Sequence, residues 1–321
     1  MQDIILHHFA VSPFAEKVRC ILGFKRLEWK SVDIPLIMPK PDLTALTGGY
    51  RRTPVLQIGA DIYCDTSLIV ELLERIAPQP SLFPAPVAGL ARILAQWADS
   101  SLFSAAMGYA FQPAAIPDLL GNAAQAKAFV ADRAAMRGSL PHMPVAEAGA
   151  SLAEYLRRLE DMLADGSPYL LGEQPTVADF SIYHPLWCVR RARAVAGILE
   201  ATPAVLAWMD RMADAGRSGC AEMTSEQALA IARAAPPVAR GRQPFIDHGA
   251  SLGDRVTIAA TDYGCDPVEG ELVLSTATEL ALRRTDARAG SVVVHFPRLG
   301  FRLKKEDDLL QEAVRQTHRN V

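Results

Sequence analysis

The stretch that most constrains the fold runs from Arg52 to Thr66 and reads RTPVLQIGADIYCDT. Two β-type runs, Val55 to Ile58 and Ile62 to Cys64, flank a short turn that contains Gly59, so the stretch predicts a β-hairpin. Pro54 stands at the mouth of this hairpin. A residue without a backbone N–H at that place belongs to a turn or to the edge of a sheet.

The hairpin leads directly into a predicted helix. Ile69, Leu72 and Leu73 recur there at helical spacing. Asp65 and Thr66 come just before this run, and either side chain is suited to cap the helix. Free amides at a helix start also attract anions, so the stretch predicts an anion site, with an ordinary capped helix as the alternative.

The first fifty residues predict two further strands and two further helices. Ile4 to Phe9 reads as a buried strand, and Ser12-Pro13 opens a helix because proline is favoured at the first helical position. A second strand is predicted over Glu28 to Ile34 and a short helix over Asp42 to Leu46. Together with the hairpin and its helix, the predicted order is βαβαββα.

Three motifs in this part of the chain resemble those of the cytosolic glutathione S-transferase family. They are SPFAEKVR at 12–19, TPV at 53–55 and DT at 65–66. The resemblance implies a thioredoxin-like domain in which Pro54 is cis. It also implies that glutathione is a substrate, and that its cysteinyl part pairs with the backbone of Val55.

Ser12 is the candidate catalytic residue. Only the thiolate is a good nucleophile, and a free thiol with a pKa of about 8.5 is largely protonated at neutral pH. A hydroxyl that donates to the sulfur at a helix start stabilises the anion. The resemblance to serine-type members gives Ser12 this role, and a plain helix cap is the other interpretation.

The remaining glutathione contacts are also implied by the resemblance. Asp65 and Thr66 are expected to hold the γ-glutamyl end, and Arg51 or Arg52 the glycyl carboxylate. The full predicted set of glutathione-binding residues is Arg52, Thr53, Pro54, Val55, Asp65 and Thr66.

The middle of the chain predicts a helical domain after a linker. Four prolines between residues 78 and 86 mark the linker. The predicted thioredoxin-like domain spans 1–79, the linker 80–87 and the all-helical domain 88–236. Thr176 and Asp179 form a capping box that resembles the family's folding signature, and we interpret it as structural.

A pocket for the second substrate is predicted in the helical domain. We expect that substrate to be a hydrophobic electrophile. The candidate pocket walls are Met107, Tyr109 and Phe111, for which a place in the helical core is the alternative.

Residues 237–321 predict a third unit, a small antiparallel all-β barrel of the SH3-like kind, because short strand-like runs alternate there with turns. From 221 to 321 there are thirteen Lys and Arg against fourteen Asp and Glu. No basic face follows from this balance, so nucleic acid is not expected as a partner. Since all the ligand motifs precede this extension, we expect it to be dispensable for glutathione binding and to pack on the transferase-like body or on a second subunit.

Composition and the absence of certain motifs restrict the cellular location that we expect for the protein. The chain has 321 residues, a net charge of −3 and five cysteines without a paired motif, which favours a reducing, cytoplasmic location. MQDIILHHF lacks the basic start of a signal peptide, and no apolar run is long enough for a membrane span. His7 and His8 are adjacent on a strand and face opposite ways, so no metal site is predicted.

The resemblance to the glutathione S-transferase family implies a homodimeric glutathione transferase that attacks electrophiles, as in detoxification, and uses glutathione but no metal. Two hypotheses of other classes stay open. One is a non-catalytic, transferase-like binding or regulatory protein whose barrel contacts a partner. The other is an adaptor whose barrel contacts RNA or protein.

Overall fold

A computed structural model describes residues 2–121, 123–137, 143–215, 219–237, 245–247 and 249–305. The predicted βαβαββα order is confirmed at the start of the chain. Its elements are β1 (Ile5–His8), α1 (Pro13–Phe24), β2 (Trp29–Asp33), α2 (Pro41–Thr47), β3 (Val55–Ile58), β4 (Asp61–Cys64) and α3 (Thr66–Ile76).

Strand pairing in this unit places three chain segments side by side where the ends of the strands meet, and this edge of the sheet runs across the strands. β1 runs parallel to β2 and antiparallel to β3, with His7 opposite Val55. β3 runs antiparallel to β4, with Val55 opposite Cys64. The end of β1, the start of β3 and the end of β4 therefore lie side by side, and α1 and α3 both begin just beyond this edge.

The helical domain follows. It contains α4 (Ala88–Trp97), a π-helical turn (Ala98–Leu102), α5 (Phe103–Ala110), α6 (Ile116–Leu120), α7 (Ala123–Arg137), α8 (Val145–Met162), α9 (Val177–Arg191) and α10 (Pro203–Ala215). Most of α9 is buried. The predicted capping box is present at its start, and the Asp179 carboxylate also accepts from the indole N–H of Trp208 at 3.0 Å. Asp179 therefore has the structural role that the sequence indicated.

The predicted β-rich extension is confirmed. After β5 (Cys220–Glu222) and α11 (Ser225–Ala234) come β6 (Arg255–Ala260), β7 (Val268–Ser275), β8 (Glu279–Asp286), β9 (Gly290–Pro297) and β10 (Phe301–Lys305). These last five strands pair antiparallel in the order β10-β6-β7-β8-β9. Residues 238–244 and 306–321 of the predicted barrel lie outside the described part of the chain.

The sequence did not indicate that the extension joins the first domain in one continuous sheet, which has ten strands in the described part of the chain. β9 pairs in parallel with β4, with Ile62 opposite Val294, and β5 pairs in parallel with β2. One apolar core contains Val55, Ile62, Ala228 and Val294. Pairing covers the outer edge of β4, which would otherwise present free backbone groups.

One segment at the end of the predicted helical domain contacts the sheet. Residues 220–234 fall within the predicted helical domain, 88–236, but β5 and α11 pack on the sheet and on α2 instead. α11 buries Ala228, Leu229 and Ala232 there. The domain bounds themselves stay predictions.

A buried charged cluster lies at the junction of β4 with the extension. The two ring nitrogens of His295 lie 2.8 Å from carboxylate oxygens of Asp61 and Glu279. All three residues are buried, and the ring stacks on Tyr63 with centroids 4.5 Å apart. The cluster therefore ties β4, which carries Asp61, to β8 and β9, which carry Glu279 and His295.

Candidate functional site

Ser12 caps α1 at the edge where the three segments meet. Its hydroxyl oxygen accepts from the backbone N–H of Ala15 at 3.2 Å, and Pro13 occupies the first helical position. Among the described residues no acceptor takes the hydroxyl hydrogen of Ser12. The side chain therefore caps the helix, as the plain-cap interpretation predicted, and its hydroxyl can still donate a hydrogen bond to a ligand atom.

The mouth of the hairpin has the expected form. The Thr53–Pro54 peptide bond is cis, and β3 begins at Val55. Because Val55 lies opposite both His7 and Cys64, the hairpin mouth is the middle of the three segments at this edge.

Asp65, rather than Thr66, caps α3. Its carboxylate accepts from the backbone N–H of Ser67 at 2.9 Å and from the Ser67 hydroxyl at 2.7 Å, and its φ is +74°. Thr66 is buried, and its hydroxyl oxygen accepts from the ammonium of Lys17 at 3.3 Å. Lys17 belongs to α1, so this bond ties the two helix starts together.

A polar network behind these helix starts escaped the sequence analysis. Lys17 is 1% exposed and pairs with Asp99 at 2.6 Å, and His184 donates to the same carboxylate at 3.0 Å. Burial raises the pKa of Asp99, but Lys17 and His184 outweigh it and hold this pKa below its usual value. Burial lowers the pKa of His184. The network fixes the Lys17 cation behind Thr66, and the only sequence signal was the place of Lys17 within SPFAEKVR.

The two arginines at the hairpin mouth already have acidic partners. Arg51 pairs with Asp132 of α7 at 2.8 Å and lies 3.9 Å from Asp266 of the extension. Arg52 lies 3.7 Å from Asp65, and its remaining contacts come from the extension.

Lys40 is a second cation that the sequence analysis missed. It is 3% exposed, its ammonium donates to the Thr53 hydroxyl at 3.3 Å, and it lies 5.3 Å from the ring centroid of Phe9. Burial, followed by the charge of Arg133, lowers the pKa of Lys40 to about 8. Among the described residues no carboxylate forms an ion pair with this ammonium, although the charge of Asp132 partly offsets that of Arg133. The Lys40 side chain is therefore buried beside the hairpin mouth without a direct ion-pair partner in the described part of the chain.

The predicted pocket walls pack mainly within the helical domain. Phe111 stacks on Phe129 with centroids 5.8 Å apart, while Met107 and Tyr109 are half-buried against the helical core. The α5 residue that reaches the start of α1 is Phe103, whose ring centroid lies 4.6 Å from that of Phe14. The role of the three predicted residues stays a prediction.

An open groove of about 540 Å³ starts at the residue before Ser12. Apolar side chains provide most of its lining, and the Asp33 carboxylate is its charged group. Its lining residues are Phe9, Ala10, Val11, Asp33, Ile34, Pro35 and Leu36.

The protein's own thiols are poor candidates for the chemistry. Cys64, directly before Asp65, is buried, and burial raises its pKa well above the usual value. Burial, followed by the charge of Glu16, does the same to the pKa of Cys20 in α1. Within the described ranges no group of His, Cys, Asp or Glu side chains is arranged to hold a metal ion, and no helix has the length and apolar character to cross a membrane.

Comparisons with known proteins agree with this geometry. Residues 6–81 match the model of the glutathione S-transferase N-terminal domain, and residues 143–211 match that of the C-terminal domain. The structure of a GST-like protein from Pseudomonas syringae is 43% identical over 95% of this chain and all of its own, with a TM-score of 0.81. The chain belongs to the glutathione S-transferase family.

More distant structures share the fold alone. A Tau class glutathione S-transferase from mango is 21% identical over 67% of this chain and 93% of its own, with a TM-score of 0.50. Rice GST1, in complex with glutathione, is 21% identical over 71% of this chain and 94% of its own, with a TM-score of 0.51. A search of curated proteins found no match.

Proposed function

We propose that the protein is a glutathione transferase that binds glutathione at the edge formed by β1, β3 and β4 and activates its thiol with Ser12. The observation that carries this proposal is the place of Ser12. Among the described residues no acceptor takes the hydrogen of its hydroxyl, which stands at the start of α1. This helix follows β1, which pairs with β3 at the hairpin mouth, and the contact of Lys17 with Thr66 ties it to the start of α3.

The chemistry is nucleophilic attack by the glutathione thiolate on an electrophilic carbon. Ser12 donates its hydroxyl hydrogen to the sulfur, and the free amides at the start of α1 add their positive ends. Both interactions strengthen as the sulfur becomes an anion, so they lower the pKa of the bound thiol. The proton that is lost goes to water or buffer, and the sulfur–carbon bond forms as the leaving group departs or the acceptor takes up the electron pair.

Contacts along the peptide follow from the charges around the hairpin. The Asp65 carboxylate and the Thr66 hydroxyl bind the γ-glutamyl amino and carboxylate groups, and the backbone of Val55 after cis Pro54 binds the cysteinyl part. Lys40 takes the glycyl carboxylate, because it is a buried cation without an acidic partner among the described residues. Arg52 and Thr53 complete the wall of the site.

The groove next to Ser12 is the proposed site of the hydrophobic electrophile. Val11 and Leu36 offer it apolar surface, and the groove begins at the residue that precedes the nucleophile-activating serine. Met107, Tyr109 and Phe111 form a more remote wall in this proposal.

We also propose a cytoplasmic homodimer. All five cysteines are free thiols, which supports a reducing compartment. Leu90 and Ile93 lie one turn apart on α4 with 49% and 67% of their surfaces exposed, and such an apolar patch suits an isologous contact with a second copy.

A non-catalytic binding or regulatory protein is the second candidate. The observation that favours it is the contact between the extension and Arg52, because it links the candidate peptide site to a domain that lies outside both matched family models.

Calorimetric titration with glutathione tests the proposed site, with Asp65→Asn as the first variant. Asparagine keeps a capping oxygen and tolerates the positive φ, while it removes the charge. Loss of a charge-assisted hydrogen bond costs about 1.5 to 3 kcal/mol, so affinity should fall about 10- to 100-fold. Asp118→Asn, which removes the charge that pairs with the exposed Arg193 in the helical domain, is the matched control and should bind like the parent.

Two results would decide against the proposal. If the parent protein does not bind glutathione, the proposed site does not exist. If Asp65→Asn binds glutathione as tightly as the parent, Asp65 does not contact the peptide. If glutathione binds but no electrophile in a broad screen is consumed faster than in buffer, the second candidate replaces the first.

A further inference from the structure

Arg52 stands between the candidate peptide site and the C-terminal extension. Its Nε donates to the backbone carbonyl of Tyr263 at 2.7 Å, and its Nη2 donates to the same carbonyl and to the carboxylate of Asp262. Its Nη1 faces Asp65 at 3.7 Å. The guanidinium carbon also lies 5.8 Å from the ring centroids of Tyr263 and Phe301.

The segment that holds Arg52, residues 261–266 between β6 and β7, is itself fixed at two positions. The backbone N–H of Thr261 donates to the carbonyl of Gly300 at 3.0 Å, within the extension. The backbone N–H of Gly264 donates to the carbonyl of Met136 at 2.9 Å, in α7 of the helical domain. The orientation of the guanidinium is therefore set before any ligand arrives.

The charges around Arg52 leave it poorly suited to a further anion. One guanidinium already faces two carboxylates, those of Asp262 and Asp65, and two of its three nitrogens donate to the extension. A bidentate contact with a peptide carboxylate needs two neighbouring N–H groups in one plane. Lys40, on the other side of Thr53, has no acidic partner among the described residues and remains available.

We infer that the extension sets the peptide specificity of the site: Asp262 and Tyr263 hold Arg52 toward Asp65, so that Arg52 supports the γ-glutamyl end of the peptide and leaves the glycyl carboxylate to Lys40. Asp262 and Arg52 are thus positioning residues, which act on the ligand through Asp65. This inference rests on the proposed function, since it assigns the two ends of the same bound peptide. It also replaces the expectation that the extension is dispensable for binding.

The test compares two ligands, glutathione and γ-glutamylcysteine, which lacks the glycyl residue. Calorimetry on the full-length protein gives a dissociation constant for each, and their ratio measures how strongly the glycyl end is recognised. Lys40→Met should weaken glutathione about tenfold or more and leave γ-glutamylcysteine nearly unchanged, so the ratio falls toward one.

Arg52→Met should weaken both ligands by the same factor, about tenfold, and leave the ratio unchanged. Asp262→Asn should also weaken both equally, but only about two- to fivefold, because its side chain is 66% exposed. Asp266→Asn is the matched control, since Asp266 lies on the same segment and pairs with Arg51. It should leave both affinities unchanged.

The double variant Arg52→Met with Asp262→Asn separates a positioning role from two independent effects. If Asp262 acts only through Arg52, the double variant binds like Arg52→Met alone. Gly264→Ala strains the same segment without removing a charge, because residue 264 has a φ of +55°, a backbone conformation that side-chain-bearing residues rarely adopt. This variant should weaken the binding of both ligands by the same factor.

Three outcomes overturn the inference. In the first, Arg52→Met lowers the ratio, so Arg52 serves the glycyl carboxylate. In the second, neither Arg52→Met nor Asp262→Asn changes either affinity in protein with a parent-like circular dichroism spectrum. In the third, the fold-loss of affinity in the double variant equals the product of the fold-losses in the two single variants. Absence of binding of both ligands by the parent is a different failure, because it removes the proposed function on which the inference rests.

Discussion

Removing the Ser12 hydroxyl should raise the pKa of the thiol of bound glutathione and should lower the stability of the protein only slightly. Ser12→Ala deletes two interactions, the donor to the thiolate and the acceptor for the Ala15 N–H at 3.2 Å. Loss of the donor to a charged sulfur costs about 1.5 to 3 kcal/mol, which corresponds to a rise of about one to two pH units in the thiol pKa. Loss of the cap costs the fold about 1 kcal/mol.

A second variant separates the two losses. Ser12→Gly also removes the hydroxyl, but glycine at a helix N-cap costs only a few tenths of a kcal/mol relative to serine. Both variants should therefore show the same raised thiol pKa, while only Ser12→Ala shows an appreciably lower free energy of unfolding. Turnover below the parent's thiol pKa should fall about 10- to 100-fold in both, if thiolate attack limits the rate.

The assay is a pH titration of bound glutathione, followed by the ultraviolet absorbance of the thiolate. It needs no acceptor substrate, so it reports on Ser12 even before the electrophile is identified. Superimposable titration curves for the parent and both variants would refute the reasoning. Ser12 would then be a cap only, and the backbone amides at the start of α1 would carry the activation.

Three further predictions concern stability and assembly. His295→Leu removes the ring that joins the buried carboxylates of Asp61 and Glu279 and should lower the free energy of unfolding by about 3 to 5 kcal/mol, as urea unfolding would show; a loss under about 1 kcal/mol would contradict this. Burial lowers the pKa of His7 to about 4, so its neutral form stabilises the fold above pH 6.5 and this stability is lost as the pH falls toward 4. His7→Gln should reduce the fall in the free energy of unfolding between pH 7 and pH 5 by about 2 kcal/mol, as urea unfolding at both pH values would show. Ile93→Glu should convert the proposed dimer to a monomer in light scattering, and an unchanged mass would place the dimer contact elsewhere.

The elements of the first domain were predictable because their signals are local. The β-type run from Val55 to Ile58, the Ser12-Pro13 helix start and the acid before α3 each depend on neighbours within a few residues. The capping box at Thr176 and Asp179 is equally local. Ser12 and Asp65 could be proposed for the same reason, since each stands at a helix start.

The missed features depend on contacts between distant parts of the chain. Lys40 lies just before α2 and Lys17 lies within α1, and nothing nearby indicates that either cation is buried. The pairing of β9 with β4 joins residues more than two hundred positions apart, which no periodicity reveals. The contacts of Arg52 with Asp262 depend on that pairing, so an extension that looked separate in the sequence reaches the candidate site.

The continuous sheet has a consequence for how the chain is made. On a ribosome that adds about 5 to 20 residues per second, Ile62 emerges about 10 to 50 s before Val294, its partner in β9. Throughout that interval the apolar strand β4 has an open outer edge, which is the kind of surface that recruits other strands. Nascent and prematurely ended chains are therefore the aggregation-prone forms of this protein, and the last strands to be synthesised give the full-length chain its protection.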